Sequence, residues 1–410
     1  MVQFARGNNL PRVKLSNQSS ILRMIYHCGP IKRAEIAERL GLTLPTITTN
    51  INNMIADGVV QETDAPDALC GGSGRKARLV DVVPESRHFL GVEMQGYRRV
   101  LTVVDFRGRA LFADIDERPC DGYEENMELV RKMIHRALEA TGLTLGEIDG
   151  IGFCVPGLVN SDSGVLDTRP SYGWLRKGIR ADAAAMLAYD GPISVENNAC
   201  ARAYGAQLFQ WEKLASAPTF AYLLVSRGIA CPLVLNTAET FSSVVGAGEV
   251  GHMVLEPNGR PCSCGNRGCL EAYASDRAVL SRCAEAMTHG RAPILRQLCP
   301  QAASLTMDAV VSAQAAGDLD VTEIVREALT YLGVAVANIN NFACPRVMMI
   351  DGALFQLEEN RQFLLDVNYR NLCNVIHTDT EYLFLEPDAF SGARGAAARA
   401  ICKHMEAHVD

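Results

Sequence analysis

The chain has 410 residues, 48% of them hydrophobic, which is enough for two or three domains with their own cores. It has no run of about 18 uncharged apolar residues and no apolar segment of the secretory kind near its start, so we expect a cytoplasmic protein without membrane insertion. The formal net charge is -8, but residues 1–82 hold ten Lys/Arg and seven Asp/Glu, whereas the remainder holds 29 and 40. A modestly basic module therefore precedes an acidic body.

Two helical periods between residues 31 and 60 predict a helix-turn-helix. The segment 40–43 between them has the length and the glycine expected of the turn. Thr43 is the predicted N-cap of the second helix, with Pro45 tolerated in its first turn. Short hydroxyl and amide groups on the outer face of this helix suit phosphate oxygens and base edges, and the predicted DNA contacts are Thr43, Thr46, Thr48, Thr49, Asn50 and Asn53. A merely solvated helix face is the alternative for this pattern.

The segment after Gly58 is typical of a β-hairpin with a basic second strand. Residues 59–63 and 74–80 have strand character and flank a turn rich in Gly and Asp. Arg75, Lys76 and Arg78 are predicted to reach phosphates or the minor groove beside the recognition helix. Together these patterns predict a winged helix-turn-helix over residues 1–82 that binds a double-stranded DNA operator.

Beyond residue 83 the pattern alternates between strands and helices. Strands are predicted at residues 100–105, 110–115, 151–155, 220–225 and 347–350, and helices at 127–138 and 321–339. This α/β alternation predicts two lobes. The first is expected over residues 83–200, completed by 385–410, and the second over 201–384.

The chain contains 14 cysteines, most of them scattered singly, which favours reduced thiols in the core over a disulfide framework. An exception is the cluster of His252, Cys262, Cys264 and Cys269 in the segment 249–271. This Cys₃His set is complete for tetrahedral Zn²⁺ and leaves no open position, so it predicts one structural zinc per chain. The alternative is four unrelated residues in a flexible loop.

The pattern H-x₉-C-x-C-G-x₂-G-C-x-E from His252 to Glu271 resembles the ROK family of sugar kinases and sugar-responsive repressors. The segments 155–159, 195–199 and 332–338 fall in the order of the family's motifs. With its N-terminal module, the chain looks like the xylose-repressor and N-acetylglucosamine-repressor branch. The resemblance implies an actin-like, two-lobed sugar-kinase fold and a regulator, most simply a repressor, of genes for carbohydrate transport and metabolism.

The chain departs from the family's kinases at three places. The first phosphate loop, Asp-x-Gly-Gly-Thr in the kinases, reads Glu93-Met94-Gln95-Gly96-Tyr97, and the second, Gly-Thr-Gly-Ile-Gly, falls on residues 226–232 without the same glycines. Asn198 replaces the aspartate that serves as the kinase base, and an amide cannot accept that proton. We therefore expect no enzymatic activity, and an active sugar kinase is the least favoured reading.

The resemblance also implies a sugar pocket. Its predicted residues are Ser171, Asn197, Asn198, Glu249, His252 and Glu271, and His252 would use one ring nitrogen for zinc and the other for the sugar. Two alternatives remain: a vestigial pocket whose carboxylates brace the zinc loop, or a domain that docks a protein partner such as a sugar transporter. A single winged module per chain further predicts a homodimer or homotetramer on a two-fold operator.

Overall fold

The computed structural model describes residues 10–64, 78–169, 173–235, 248–373 and 379–407. The N-terminal module has six elements: α1 (Leu10–Cys28), β1 (Ile31–Lys32), α2 (Arg33–Leu40), α3 (Leu44–Ala56), β2 (Val60–Asp64) and β3 (Arg78–Val82). Its antiparallel strands lie in the order β1-β3-β2. The predicted helix-turn-helix is confirmed as α2 and α3, whereas α1 was not predicted. Arg75 and Lys76 lie outside the described residues.

Local sequence explains the turn between α2 and α3. Gly41 ends α2 in the left-handed region at φ 63°, which glycine adopts without strain. The Thr43 hydroxyl then accepts a hydrogen bond from the Thr46 amide, so Thr43 is the N-cap of α3 as predicted. The turn thereby fixes the direction in which α3 leaves α2.

The first lobe is built on a five-stranded sheet. Its elements in chain order are β4 (His88–Met94), β5 (Arg99–Asp105), β6 (Ala110–Asp116), α4 (Tyr123–Thr141), β7 (Gly150–Val155), β8 (Leu158–Asn160), β9 (Val165–Arg169), β10 (Trp174–Lys177), α5 (Ile179–Leu187) and β11 (Ile193–Asn197). The sheet order is β11-β7-β4-β5-β6, in which β4 to β6 form an antiparallel meander and β7 and β11 run parallel to β4. Strands β8 to β10 form a separate small sheet. The predicted strands and helix of this lobe are confirmed.

Two helices follow β11 and lead to the second lobe: α6 (Asn198–Phe209) and the single turn α7 (Trp211–Leu214). Helix α6 passes without interruption through residue 200, where the sequence pattern placed the limit between the lobes. Its alanines pack with Phe220 and Met349 of the second lobe in one apolar cluster. Helix α6 therefore joins the two lobes.

The second lobe has a five-stranded sheet and a large helical layer. Its elements are β12 (Thr219–Val225), β13 (Ile229–Ala230), β14 (Leu233–Leu235), α8 (Glu271–Ala274), α9 (Asp276–Thr288), α10 (Pro293–Leu298), α11 (Met307–Ala315), α12 (Leu319–Ala343), β15 (Val347–Asp351), α13 (Glu358–Asn371) and β16 (Glu381–Phe384). Strands β12, β15 and β16 run parallel, and β13 and β14 pair antiparallel with β12. The predicted α/β alternation is confirmed here too.

The last described helix, α14 (Ser391–Ala407), returns to the first lobe. A Cβ at Gly91 or Gly152 would overlap the carbonyl oxygens of Ala393 and Ala396, so the two strand glycines let α14 lie directly on the sheet. Across the described residues, none of the helices has both the length and the apolarity to cross a lipid bilayer.

The N-terminal module shares a hydrophobic core with the first lobe. Ile21 and Ile25 of α1 belong to the same buried cluster as Phe89 and Phe106 of the lobe and Ile401 of α14. Arg23 of α1 adds an ion pair with Glu406 at 2.9 Å. The N-terminal module thus packs against the first lobe through buried apolar side chains.

Candidate functional site

The outer face of α3 presents most of the side chains that the sequence predicts to contact DNA. Thr43, Thr49 and Asn53 are exposed, and Thr46 and Thr48 are half-buried. The inner face packs Ile47, Ile51 and Met54 into the core of the module. The exposed polar face is therefore separated from the core by a regular helical period, as a recognition helix requires.

Asn50 corrects the predicted composition of this face. It is only 6% exposed, and its Nδ2 donates to the Thr46 carbonyl at 2.8 Å. Asn50 lies three residues after Ile47 and four before Met54, so the helical period carries it to the buried side. Asn52, which was not among the predicted contacts, is exposed instead. Its position three residues after Thr49 places it on the same helix face and could have predicted this.

A carboxylate joins the wing to the helices. Glu62 on β2 accepts from Arg33 Nε at 2.9 Å and from Arg78 Nη1 at 2.8 Å, and Arg33 also donates to the Asn52 side chain at 2.9 Å. Burial alone would raise the pKa of Glu62, but Arg78 and Arg33 outweigh burial and lower it. The Arg78 side chain nevertheless remains 60% exposed.

The four predicted metal ligands lie together in the loop before α8. Their ligand atoms are all within 4.8 Å of one another. Cys262 Sγ is 3.6 Å from His252 Nδ1, and Cys264 Sγ is 3.8 Å from Cys269 Sγ. On a tetrahedron with zinc-to-ligand lengths of about 2.0–2.3 Å, the ligand atoms would lie roughly 3.4–3.8 Å apart. The cluster can therefore hold a tetrahedral metal ion with little movement.

A cleft of about 590 Å³ lies between the lobes and touches this cluster. Five of the six residues predicted to bind sugar line it: Asn197, Asn198, Glu249, His252 and Glu271. Ser171 lies outside the described residues. His252 lines the cleft, and its Nδ1 lies 3.6 Å from Cys262 Sγ.

The two asparagines of the cleft differ in their availability. Asn197 caps α6 by accepting from the Ala199 amide at 2.8 Å, and it donates to the Gly157 carbonyl at 2.9 Å. Both ends of the Asn197 amide are thereby used. Asn198 makes no side-chain hydrogen bond within the described residues, which leaves it the better placed of the two for a ligand.

The carboxylates on the other wall are held differently. Glu271 accepts from Arg277 Nη2 at 3.0 Å and from Ser263 Oγ at 3.2 Å. Burial raises the pKa of Glu249, opposed by His252, and Glu271 raises it further. Both carboxylates border the loop that carries the His/Cys cluster, so the shape of the cleft depends on how that loop is held.

The first residue of the altered first phosphate loop, a glutamate, forms a buried ion pair with an arginine of α6. Glu93 at the end of β4 is fully buried, and Arg202 of α6 donates to its Oε1 at 2.9 Å. Burial alone would raise the pKa of Glu93, but Arg202 and then Arg98 outweigh burial and lower it. Arg202 Nε also lies 3.8 Å from Asp351 of the second lobe. The Glu93 carboxylate is therefore part of a group of charged side chains that connects β4, α6 and the second lobe.

The two altered phosphate loops also meet across the cleft. The Arg227 guanidinium carbon of the second lobe lies 4.4 Å from the centroid of the Tyr97 ring in the first. This cation–π contact fills space between the lobes with protein atoms. Tyr97, the last residue of the altered first phosphate loop, lines the cleft.

The fold and the site together define a two-lobed, sugar-kinase-like protein that carries a helix-turn-helix module. A model of the ROK family matches residues 89–401, and a model described as winged helix-turn-helix DNA-binding matches residues 16–61. The chain belongs to the ROK family, which confirms the predicted family and fold class.

Curated relatives extend over most of the chain. The xylose repressor of Bacillus subtilis (strain 168) is 26% identical over 347 residues, covering 84% of both chains. The DNA-binding transcriptional dual regulator NagC of Escherichia coli (strain K12) is 25% identical over 367 residues, covering 87% of this chain and 84% of that one. The similarity therefore includes both the N-terminal module and the lobes.

Solved structures show the same fold. A ROK family transcriptional regulator, described as a homolog of the E. coli MLC protein, has a TM-score of 0.80 at 20% identity and covers 97% of this chain and 98% of its own. A ROK family glucokinase from Streptomyces griseus, in complex with glucose and AMPPNP, has a TM-score of 0.65 at 21% identity and covers 76% of this chain and 99% of its own.

Proposed function

We propose that the chain is a sugar-responsive transcriptional repressor that binds operator DNA in the cytoplasm and controls genes of carbohydrate transport or metabolism. One observation carries the proposal: a recognition helix with an exposed polar face shares a core with a kinase-like lobe whose phosphate-loop carboxylate is buried against Arg202. The similarity to repressors over both parts supports it. A two-fold operator and a homodimer or homotetramer follow from one winged module per chain.

A DNA-binding assay tests this proposal directly. Gel shifts with the region upstream of the chain's own gene and of neighbouring sugar genes should give a sequence-specific complex that weakens steeply with salt. Addition of the cognate sugar should change the affinity. Absence of any specific complex would contradict the proposal that the chain is a repressor. A complex that responds to a transporter protein and not to free sugar would indicate that the lobes dock a protein partner.

Replacing Asn53 with aspartate is expected to weaken operator binding about 10-fold or more. The side chain is exposed on α3, so the new carboxylate would face phosphates and base edges without disturbing the core. Gel shifts measure the change, and thermal melting should stay the same. Gln356→Glu adds the same charge on the second lobe and serves as the control; equal loss in both variants would refute an interface at α3.

We further propose that the lobes do not catalyse phosphoryl transfer, because both phosphate loops and the base position have changed. Asn198→Asp restores the missing carboxylate, yet Tyr97, Arg227 and the Glu93–Arg202 pair would still occupy the nucleotide region. In a coupled assay with ATP and glucose, N-acetylglucosamine or xylose, neither the wild type nor N198D should release ADP in response to the sugar. Sugar-dependent ADP release by either protein would overturn this assignment.

We propose that His252, Cys262, Cys264 and Cys269 hold one zinc ion in a structural role. Bound zinc would supply a rigid cross-link for the loop, and the four protein ligands would leave no position for a reacting water. The loop's own residues then do the positioning: His252 would present Nε2 to the cleft, and Glu249 and Glu271 would accept hydrogen bonds from sugar hydroxyls. Asn198 would complete the pocket from the opposite wall.

A further inference from the structure

A second cavity, of about 550 Å³, lies where the N-terminal module meets the first lobe. Its walls come from four places: Tyr26 and His27 at the end of α1, Arg107 to Arg109 in the turn between β5 and β6, residues 208–213 at the end of α6 and in α7, and Arg394 of α14. The N-terminal end of α6 lies at the cleft between the lobes, and the twelve residues of the helix span about 18 Å. The junction cavity is therefore a different site from the cleft.

Most of the charged residues that line the junction cavity are cationic. Arg107, Arg109, Lys213 and Arg394 face a single lining carboxylate, Glu212. Arg107 is paired with Asp81 and Arg394 with Asp388, but the side chains of Arg109 and Lys213 have no partner among the described residues. Arg109 and Lys213, both exposed, are thus unpaired in the described part of the chain, and with Glu212 counted the cavity keeps a net positive charge.

The nearby positive charges also act on a histidine in the wall of this cavity. The pKa of His27 is lowered to about 4, first by burial and then by the positive charges of Arg23 and Arg107, which points to a positive potential at this wall.

We propose that the junction cavity binds a phosphate group through Arg109 and Lys213. Guanidinium and ammonium groups together match the charge and the several acceptor oxygens of a phosphate. The stacked rings of His27 and Trp211, 4.4 Å apart, form the wall beside it. An occupant here would touch the DNA-binding module and the first lobe at once, so it would influence how the module is held.

The phosphate has two conceivable sources, a free phosphorylated metabolite or the operator backbone, and one pair of experiments separates them. In the first, the full chain is titrated with inorganic phosphate at constant ionic strength and followed by tryptophan fluorescence, since Trp211 lines the cavity. Saturable binding is expected, at least 10-fold weaker in the double variant Arg109→Gln/Lys213→Gln. The double variant Lys132→Gln/Arg370→Gln removes one lysine and one arginine elsewhere on the surface and should behave as wild type.

In the second experiment, operator affinity is measured against salt concentration. If the phosphate belongs to the operator, the slope of log affinity against log salt should fall by up to about 2 in the Arg109/Lys213 variant, because each phosphate contact contributes about 0.9. If it belongs to a free ligand, the slope should stay unchanged while phosphate binding is lost. The titration needs no DNA, so its result does not depend on the repressor function.

Two outcomes would overturn the proposal. One is that inorganic phosphate does not bind and the salt slope is the same in wild type and variant. The other is that phosphate binds equally to both proteins with no change in slope, which would place the anion elsewhere on the chain.

Discussion

Cys264→Ser is expected to remove the metal and to lower the melting temperature of the chain by several degrees. The cluster holds its ligand atoms within 4.8 Å of one another, and binding of zinc and folding of the loop share one free energy. Each kcal/mol lost corresponds to about 2–4 °C for a unit of 150–250 residues. Elemental analysis should give about one zinc per chain in wild type and none in the variant.

The consequences of metal loss should be local first. The loop that carries Glu271 into the cleft should lose its order, so sugar binding should fall. Helices α1 to α3 should stay folded, because they share their core with the first lobe and α14. Cys373→Ser, an exposed thiol outside the cluster, is the matched control and should change neither metal content nor melting. Full metal retention in Cys264→Ser would refute the four-ligand assignment.

Operator affinity should also fall in Cys264→Ser, because a disordered loop would alter the lobe arrangement that sets the spacing of paired recognition helices. This part of the prediction can fail separately. Complete metal loss with unchanged operator affinity would support the metal site and refute its coupling to DNA binding.

Arg202→Met is expected to lower the free energy of unfolding by about 3–5 kcal/mol, because it leaves the carboxylate of Glu93 buried without its main partner. Glu93 is fully buried, and Arg202 is 7% exposed. The same arginine also donates to Ser391 at 3.1 Å and to the Asn198 carbonyl at 3.1 Å, so its loss would loosen the start of α6. Urea unfolding followed by circular dichroism measures the change.

Two further variants make the test specific. The double variant Arg202→Met/Glu93→Gln removes the stranded charge and should recover a substantial part of the loss. Arg136→Met breaks the surface pair with Asp114 at 2.6 Å and should cost no more than about 1 kcal/mol. A loss of that small size in Arg202→Met would show that the buried pair does not hold the lobes together.

The pH dependence of this pair has a definite sign. Since the pKa of Glu93 is lowered in the folded chain, the stabilisation is present above the carboxyl's ordinary pKa and is lost as the pH falls through its folded value. The difference in stability between wild type and Arg202→Met should therefore shrink in acid and stay constant near neutral pH.

The sequence by itself determined the features that depend on neighbours in the chain. The spacing of His252, Cys262, Cys264 and Cys269 within one loop predicted a cluster that the fold brings together. The cap at Thr43 and the five strands and two helices predicted in the lobes also follow from short-range periodicity and capping. These predictions hold in the folded chain because the groups involved are close in sequence and depend only on local geometry.

Tertiary structure alone decided the features that join distant segments. Glu93 and Arg202 are 109 positions apart, and no local pattern marks them as partners. The junction cavity needs α1, a hairpin turn and the end of α6 in one place. Burial and charge pairing are properties of the packed chain, so a side chain's role at such positions is set by what the fold brings against it.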